Sequence, residues 1–485
     1  MQLKRARGLA GASAAALLAG CALGEHVAKP DLSVPAAFEA PQAKSAADVS
    51  ALDQWWTLFG DPQLTGLVEE ALASSPDAKT ALYRLQEARA QRNLAIASVL
   101  PTGDFKGSAT EAYSRQSYAH VNSLLPPQYT QFLSAQSGVA DTFAGSFNPS
   151  WELDLYGGDA VAIKTANAGL AASRFAYEAS RFSLAAQVAT NLFQARGLAV
   201  QLANARENLK LARDLAEVSR RKREAGLSST ADEARTLADA ESAEAQAAAL
   251  EAQLKGAERA LLVLVGRGAA PLSSLTITAD VAPPPPVPAT TPGSVLVRRP
   301  DVRQAEANLA EALGELRLDK LAVFPRLTLQ PGVSINQQAL SLYTVTTKAA
   351  SGGVGVTVPV LGLPKLLFQV RAQGAVARQA ASAYEKAVKS AYGDAERALT
   401  SVEADGRRVK LLQDAAERSR FAFDAANTGY KQGLTDLTSL VQAEQSWRQT
   451  LSTYTLAEVD ALVDTVAAFK ALGGGWPSAG ETKTR

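Results

Sequence analysis

The 485-residue chain holds one cysteine, Cys21, one methionine and two histidines, His26 and His120. An internal disulfide is therefore excluded, a Cys/His zinc site lacks its ligands, and a Cys–His nucleophile pair has almost nothing to draw on. Aromatics are only 6% of the residues. Beyond residue 20, no stretch approaches the roughly eighteen apolar residues of a membrane-spanning helix. An excess of one charge is also missing: 49 Lys and Arg stand against 48 Asp and Glu, which gives nucleic acid no basic face to bind. No G-x-x-x-x-G-K-S/T run supplies a phosphate loop, so the chain has no energy source of its own. What is plentiful is small and apolar. Hydrophobic residues reach 47% with alanine prominent, a composition for closely packed helices, and no catalytic constellation or cofactor site is expected.

Residues 1–20 carry Lys4, Arg5 and Arg7 ahead of a short apolar core, the pattern of a secretory signal. Cys21 follows in Leu18-Ala19-Gly20-Cys21, which resembles the bacterial lipoprotein box, where the cysteine is acylated and becomes the mature N-terminus. A plain signal peptide beside a chance cysteine is the competing reading. The position of the only cysteine favours a covalent lipid at Cys21. Ala22 in place of Asp is the form associated with transfer to the outer membrane. Removal of residues 1–20 leaves 46 basic against 48 acidic groups.

The chain also repeats itself. A shift of 224 pairs Ala81 with Ala305, Leu85 with Leu309, Val99 with Val323 and Pro101 with Pro325; a shift of 207 pairs Gly226-Leu227-Ser228 with Gly433-Leu434-Thr435. The spacing predicts an N-terminal extended segment over 21–60, a first repeat over 61–281 and a second over 298–472. A stiff Pro-rich linker over 282–297 separates them, and a tail covers 473–485. Each repeat is expected to run helix, two strands, very long helix, returning helix. The long helices are placed at 158–225 and 229–267, then 364–431 and 435–472. No proline interrupts Asp159 to Glu224, and apolar residues recur at sevens in Leu170/Tyr177/Leu184 and Leu202/Leu209. About 65 helical residues rise roughly 100 Å, and a heptad stripe on such a rod demands partner rods. Gly226 and Gly433 end the rods, with Ser228 and Thr435 predicted as N-caps of the returning helices.

Four strands are expected at 103–115, 142–155, 326–337 and 352–361. Phe143 to Asp154 alternates apolar, Gly or Pro with small or polar residues, and Val354, Val356, Val358 and Val360 share one face. Alternation over about ten residues suits a membrane barrel strand and equally a half-buried strand of a soluble sandwich. The attached rods favour the membrane. Four strands cannot close a barrel, so copies must share one: two would give eight strands, three would give twelve and a water-filled bore. The 115–141 connection reads as a surface loop folded over the mouth.

Four motifs together resemble the outer-membrane efflux lipoproteins of the TolC/OprM type, NodT group. They are Trp55-Trp56-Thr57-Leu58-Phe59-Gly60-Asp61-Pro62, Trp151-Glu152-Leu153-Asp154-Leu155-Tyr156-Gly157, Arg298-Arg299-Pro300-Asp301-Val302, and Ala471-Leu472-Gly473-Gly474-Gly475-Trp476. The resemblance implies a mainly α fold with a membrane β-barrel contribution, a homotrimer with a twelve-stranded barrel and a periplasmic helical barrel. It also implies a periplasmic adaptor and an inner-membrane pump of the resistance-nodulation-division class as partners. Relatives carry aspartates six and nine residues after the second tip glycine; here Ser439 and Gln442 stand there, while Asp232, Glu233 and Asp436 are the carboxylates near the tips. These five are the periplasmic gate candidates, and Gly226, Leu227, Gly433 and Leu434 are the expected adaptor and pump contacts. A ring of symmetric carboxylates attracts cations; the competing role for Asp232 and Asp436 is to favour the positive start of a helix. The leading function is a passive exit duct for small molecules. The alternatives are a duct for an ABC-type (type I) secretion system and a periplasmic coiled-coil scaffold without a pore.

Overall fold

The computed structural model describes residues 27–28, 30, 32–40, 49–114, 138–339 and 344–474. The signal segment, Cys21, most of the 115–141 connection and the tail beyond 474 lie outside the described residues. Two helices, α1 (Pro62–Ser74) and α2 (Pro76–Ala97), precede strands β1 (Thr102–Ser114) and β2 (Gly138–Leu153). The 67-residue α3 (Gly158–Glu224) and the returning α4 (Thr230–Leu264) follow. After a short α5 (Pro292–Arg298) the order recurs as α6 (Pro300–Leu321), β3 (Arg326–Ala339), β4 (Thr344–Thr357), the 69-residue α7 (Leu363–Lys431) and α8 (Leu437–Ala471). The described chain divides into two compact units, one formed by 1–28, 89–169 and 309–380 and the other by 29–88, 170–308 and 381–485.

Three expectations are corrected. The segment 21–60 is not extended throughout: Val49–Phe59 is a 3-10 helix kinked at Gln54, because Leu52, Trp55, Trp56 and Phe59 recur on one side. The Pro-rich linker ends early, where Pro292 opens α5 under the cap of Thr291. The fourth strand occupies Thr344–Thr357 rather than 352–361; Pro359 has no N–H for a ladder, so Val358 and Val360 fall outside it.

In the first unit the four strands form one antiparallel sheet in the order β1-β2-β3-β4. Register aligns Phe105, Phe147, Val333 and Ala350 in one row, and Trp151, Leu329 and Val354 in another. One face therefore carries Phe105, Phe143, Phe147, Trp151, Leu327 and Val356. The opposite face carries Lys106, Ser146, Asn148, Thr328, Ser334 and Asn336. Large side chains on the apolar face stay open: Phe105 is 78% exposed and Val333 55%. Eleven residues from Leu153 to Phe143, ten steps of about 3.4 Å at a tilt near 40°, make an apolar band about 25 Å tall. The outer edges of β1 and β4 have no ladder partner among the described residues. Beside the sheet, Ala312 and Leu316 of α6 pack on Val370 and Ala377 of α7. A Cβ on Gly314 would lie 2.0 Å from Thr165 Oγ1, so α6 and α3 approach as only glycine permits.

In the second unit Trp55 is fully buried, stacked on Phe469 at 5.8 Å and edge-on to Phe182. Leu64, Val68, Leu192 and Leu262 complete this core. The α3–α4 seam is narrower and built from Leu202, Ala205, Ala247 and Leu250, then Ala212, Ala240 and Ala243. Buried Arg299 ties α6 to α7 and α8. Its Nη2 reaches Asp301 at 2.6 Å and Asp394 at 3.4 Å, and Nη1 donates to the carbonyls of Ala391 and Ala471. Arg298 pairs with Asp53. Residues 32–40 lie along α7: Leu32 and Val34 pack near Val388, and Phe38 stacks on Tyr392. The carboxylate of Glu396 accepts the Glu39 N–H at 2.6 Å, the Ala40 N–H at 3.0 Å and the Tyr392 hydroxyl at 2.9 Å. Burial pushes that carboxyl up, but these donors outweigh it and hold it below its ordinary range.

Candidate functional site

The two long helices end in the same way. Gly226 has φ 72° and Gly433 φ 77°, a conformation glycine adopts without strain. Leu227 N–H donates to Lys222 O at 2.7 Å and Gly226 N–H to Arg223 O at 2.9 Å; Leu434 to Gly429 and Gly433 to Tyr430 repeat the pattern at 2.8 and 3.1 Å. This is the Schellman pairing, which satisfies the last carbonyls of a helix. Leu227 and Leu434 stand 77% and 79% exposed at the turns.

The returning helices are capped one residue later than expected. Ser229, not Ser228, is the N-cap of α4, and Asp436, not Thr435, that of α8. The turn after each glycine consumes two residues before an extended backbone appears. Asp232 closes a capping box: its N–H donates to Ser229 Oγ at 3.0 Å, and its Oδ2 accepts Ser229 N–H at 3.2 Å and Ser228 Oγ–H at 3.1 Å. These donors, Ser229 foremost, hold its carboxyl below the ordinary range. Asp436 Oδ1 accepts Ser439 N–H at 2.7 Å and is likewise lowered, by Ser439. Both carboxylates are thus engaged as caps within their own turns. Glu233 pairs with Arg223 across the first turn. Ser439 and Gln442 are exposed on α8.

Two contacts that join the hairpins escape sequence reasoning. Lys222 Nζ donates to Tyr430 Oη at 3.1 Å and lies 4.4 Å from that ring's centre; Arg235 Nη1 donates to Thr438 Oγ1 at 3.4 Å. Their one sequence signal is position, since Lys222 and Tyr430 precede the tip glycines by a single turn. Further along α8, Glu444 is 1% exposed and Arg448 Nη2 meets its Oε1 at 2.7 Å. Burial pushes the Glu444 carboxyl up, Arg448 opposes this, and Asp239 of α4 adds to it. Its signal was an acid where the Leu440–Val441 stripe calls for an apolar residue. Beside it a cavity of about 410 Å3 is lined by carboxamides, among them Gln201, Asn204, Asn208, Gln246 and Gln449. Among the described residues no group of three His, Cys, Asp or Glu is placed to hold a metal ion, and no helix is long and apolar enough to cross a membrane.

Rods with glycine-turned ends and a two-faced open sheet describe a conduit component, and the comparisons agree. The family described as outer membrane efflux protein matches residues 67–267 and 291–474. The chain belongs to that family. The pyoverdine export outer membrane protein OpmQ of Pseudomonas aeruginosa is 28% identical over 436 residues, covering 90% of each chain. Nodulation protein T of Rhizobium leguminosarum bv. trifolii is 26% identical over 436 residues, 89% of each. Among solved structures, the outer-membrane channel OprN is similar with a TM-score of 0.76 at 25% identity, over 93% of this chain and 99% of that one. The NodT/OprM-type resemblance read from the motifs holds, as does the mainly helical fold with few strands. The protein is an outer-membrane efflux channel. Its relatives are channel and export proteins rather than enzymes.

Proposed function

We propose that the protein is the exit duct of a tripartite efflux system, driven by an inner-membrane resistance-nodulation-division pump through a periplasmic adaptor. Three copies pool four strands each into a twelve-stranded barrel, and their duplicated helix–strand–strand–helix–helix units continue it as a periplasmic helical barrel. The observation that carries this reading is the two-faced sheet with both edges unpaired among the described residues. Hydrocarbon does not tolerate an open strand edge, and an eight-stranded barrel from two copies would be filled by its own side chains. The face of serine, threonine, asparagine and glycine then lines water, makes few specific contacts with cargo, and leaves selection to the pump. The name of OpmQ points to small exported molecules as the cargo class.

Two further elements belong to this reading. Five residues separate Cys21 from Val27, which packs beside Val370 near the start of α7. That stretch spans at most about 20 Å, so a lipid on Cys21 would be held close to the sheet-bearing unit. At the other end, Asp232, Glu233, Asp436, Ser439 and Gln442 surround the periplasmic entrance of the pore as gate residues. Lys222–Tyr430 and Arg235–Thr438 hold the two hairpins of one copy together. Gly226, Leu227, Gly433 and Leu434 present the turns to adaptor and pump.

The test is the mass of the detergent-extracted protein by light scattering together with planar-bilayer conductance. Three copies per particle and discrete current steps are expected. A single-copy particle, or bilayers that stay silent, would refute the duct.

A further inference from the structure

The two long hairpins differ in the chemistry of their seams. Where α3 meets α4 the buried contact is hydrocarbon, with Leu198 and Leu254 flanking Leu202 and Leu250, and the exposed Arg206–Glu251 and Arg213–Glu244 ion pairs run beside it. The 207-residue shift that superposes the tip glycines carries Leu198 onto Asp405 and Ala257 onto Asp464. On α7, Asp405 is only 8% exposed. The Arg408–Asp460 pair fixes the antiparallel register of α7 on α8, and one turn further on this register sets the Asp464 carboxyl against that of Asp405. Asp460, one turn earlier on α8, is already engaged by Arg408 at 3.0 Å. No donor reaches Asp405 Oδ2. The charged groups acting on Asp405 are therefore Asp464 and Asp460 from α8 and Arg408 from its own helix. Two adjacent carboxylates, one of them buried without a donor, repel when both are ionised. A single shared proton turns the same contact into an O–H···O bond.

We propose that the Asp405–Asp464 contact is a proton-operated latch present in the second hairpin alone, clamping α7 to α8 while the shared proton is bound and loosening that seam when it leaves. Burial, then the hydrogen bond and charge of Asp464, push the Asp405 carboxyl up from 3.8 to about 6. The folded chain thus holds the proton more tightly than the unfolded one. The latch is complete below pH 4 and is lost as pH rises through about 6. What this does to conduction rests on the duct reading: at neutral pH the α7–α8 hairpin is the one free to shift, while the α3–α4 hairpin keeps its hydrocarbon seam and the Arg206–Glu251 and Arg213–Glu244 ion pairs.

Deuterium exchange on the full-length protein in detergent decides it. Protection factors, corrected for the intrinsic pH dependence, are compared at pH 4.5 and 7.5 for amides flanking Asp405 and Asp464. The wild type is expected to lose at least about tenfold in protection. Asp405→Asn is expected to lose none, because its amide donates to Asp464 at both pH values. Amides flanking Leu198 and Leu250 are expected to hold level in both proteins. Unchanged protection in the wild type, or the same loss in Asp405→Asn, overturns the latch. Should Asp405→Asn fail to fold, Asp464→Asn removes the same shared proton and must flatten the profile. Bilayer current is a separate reading: a seam that titrates in a protein that passes no current keeps the latch and discards the duct.

Discussion

Val333 and Ser334 are neighbours in β3 on opposite faces of the sheet, which makes them a sharp probe of which face meets lipid. Val333 sits in the row of Phe105, Phe147 and Ala350, close to the middle of the apolar band; Ser334 sits between Ser146 and Ala349. An arginine on the lipid face near the midplane costs about 2–4 kcal/mol. In the proposed trimer, three symmetric copies bring this to roughly 6–12 kcal/mol, the size of an entire domain's stability. Val333→Arg should therefore fail to insert, or insert with greatly reduced yield. Ser334→Arg should insert normally and place one guanidinium per copy in the water-filled bore, moving the reversal potential of single channels towards anions. The assay is refolding into lipid vesicles scored by heat-modifiable gel mobility, followed by ion selectivity of whatever inserts. Equal insertion of the two variants, or failure of Ser334→Arg alone, would refute the assignment of the faces.

Cys21→Ser should abolish acyl labelling of the mature protein while barrel insertion persists, because closed strands supply their own hold on the membrane; labelling that survives removes the lipid from Cys21. Arg299→Ala should lower the denaturation midpoint by an amount equivalent to about 1–3 kcal/mol, since it strips Asp301, Asp394 and two carbonyls of their donor. Arg299→Lys should recover only part of this, as an ammonium cannot make the forked contact. At the tips, Tyr430→Phe removes the hydroxyl from Lys222 but leaves the ring, whereas Lys222→Ala removes both contacts. Open time in bilayers should rise in the order wild type, Tyr430→Phe, Lys222→Ala, and any other order argues against a tie at that point. Gly433→Ala should cost about 1 kcal/mol from backbone strain alone, because no atom lies within 4 Å of an added Cβ.

The long helices were legible because their signal is redundant. Asp159 to Glu224 lacks proline and repeats its apolar residues at sevens, so many weak preferences agree. The alternation of β2 and β3 was legible for the same reason. The outer half of β4 was not: Thr344-Val345-Thr346-Thr347-Lys348 is polar on the apolar face and short on both, while Val358 and Val360 extend an alternation that Pro359 cannot extend in hydrogen bonds. At the first turn, Ser228, Ser229 and Thr230 are three hydroxyls in succession, and only the bond from Asp232 N–H selects Ser229 as the cap. The pairings Lys222–Tyr430, Glu444–Arg448 and Asp405–Asp464 were hidden for a different reason. A place near a tip glycine, or an acid in an apolar stripe, marks a single residue, whereas each pairing is set by how the helices pack.

The four rod helices share one ending. Gly226, Gly266, Gly433 and Gly473 all take a positive φ, and each is followed by the same backward pair of N–H bonds. A duplicated unit keeps such a feature because backbone geometry admits few substitutes for glycine there. Seams are under no such restriction: any pair that fills the space and satisfies its polar atoms will hold two helices together. The halves therefore agree at their ends and diverge along their lengths: Leu198 and Ala257 in the first hairpin correspond to Asp405 and Asp464 in the second. In the proposed ring of alternating hairpins, that divergence gives adjacent hairpins unequal resistance to movement, which identical seams would not.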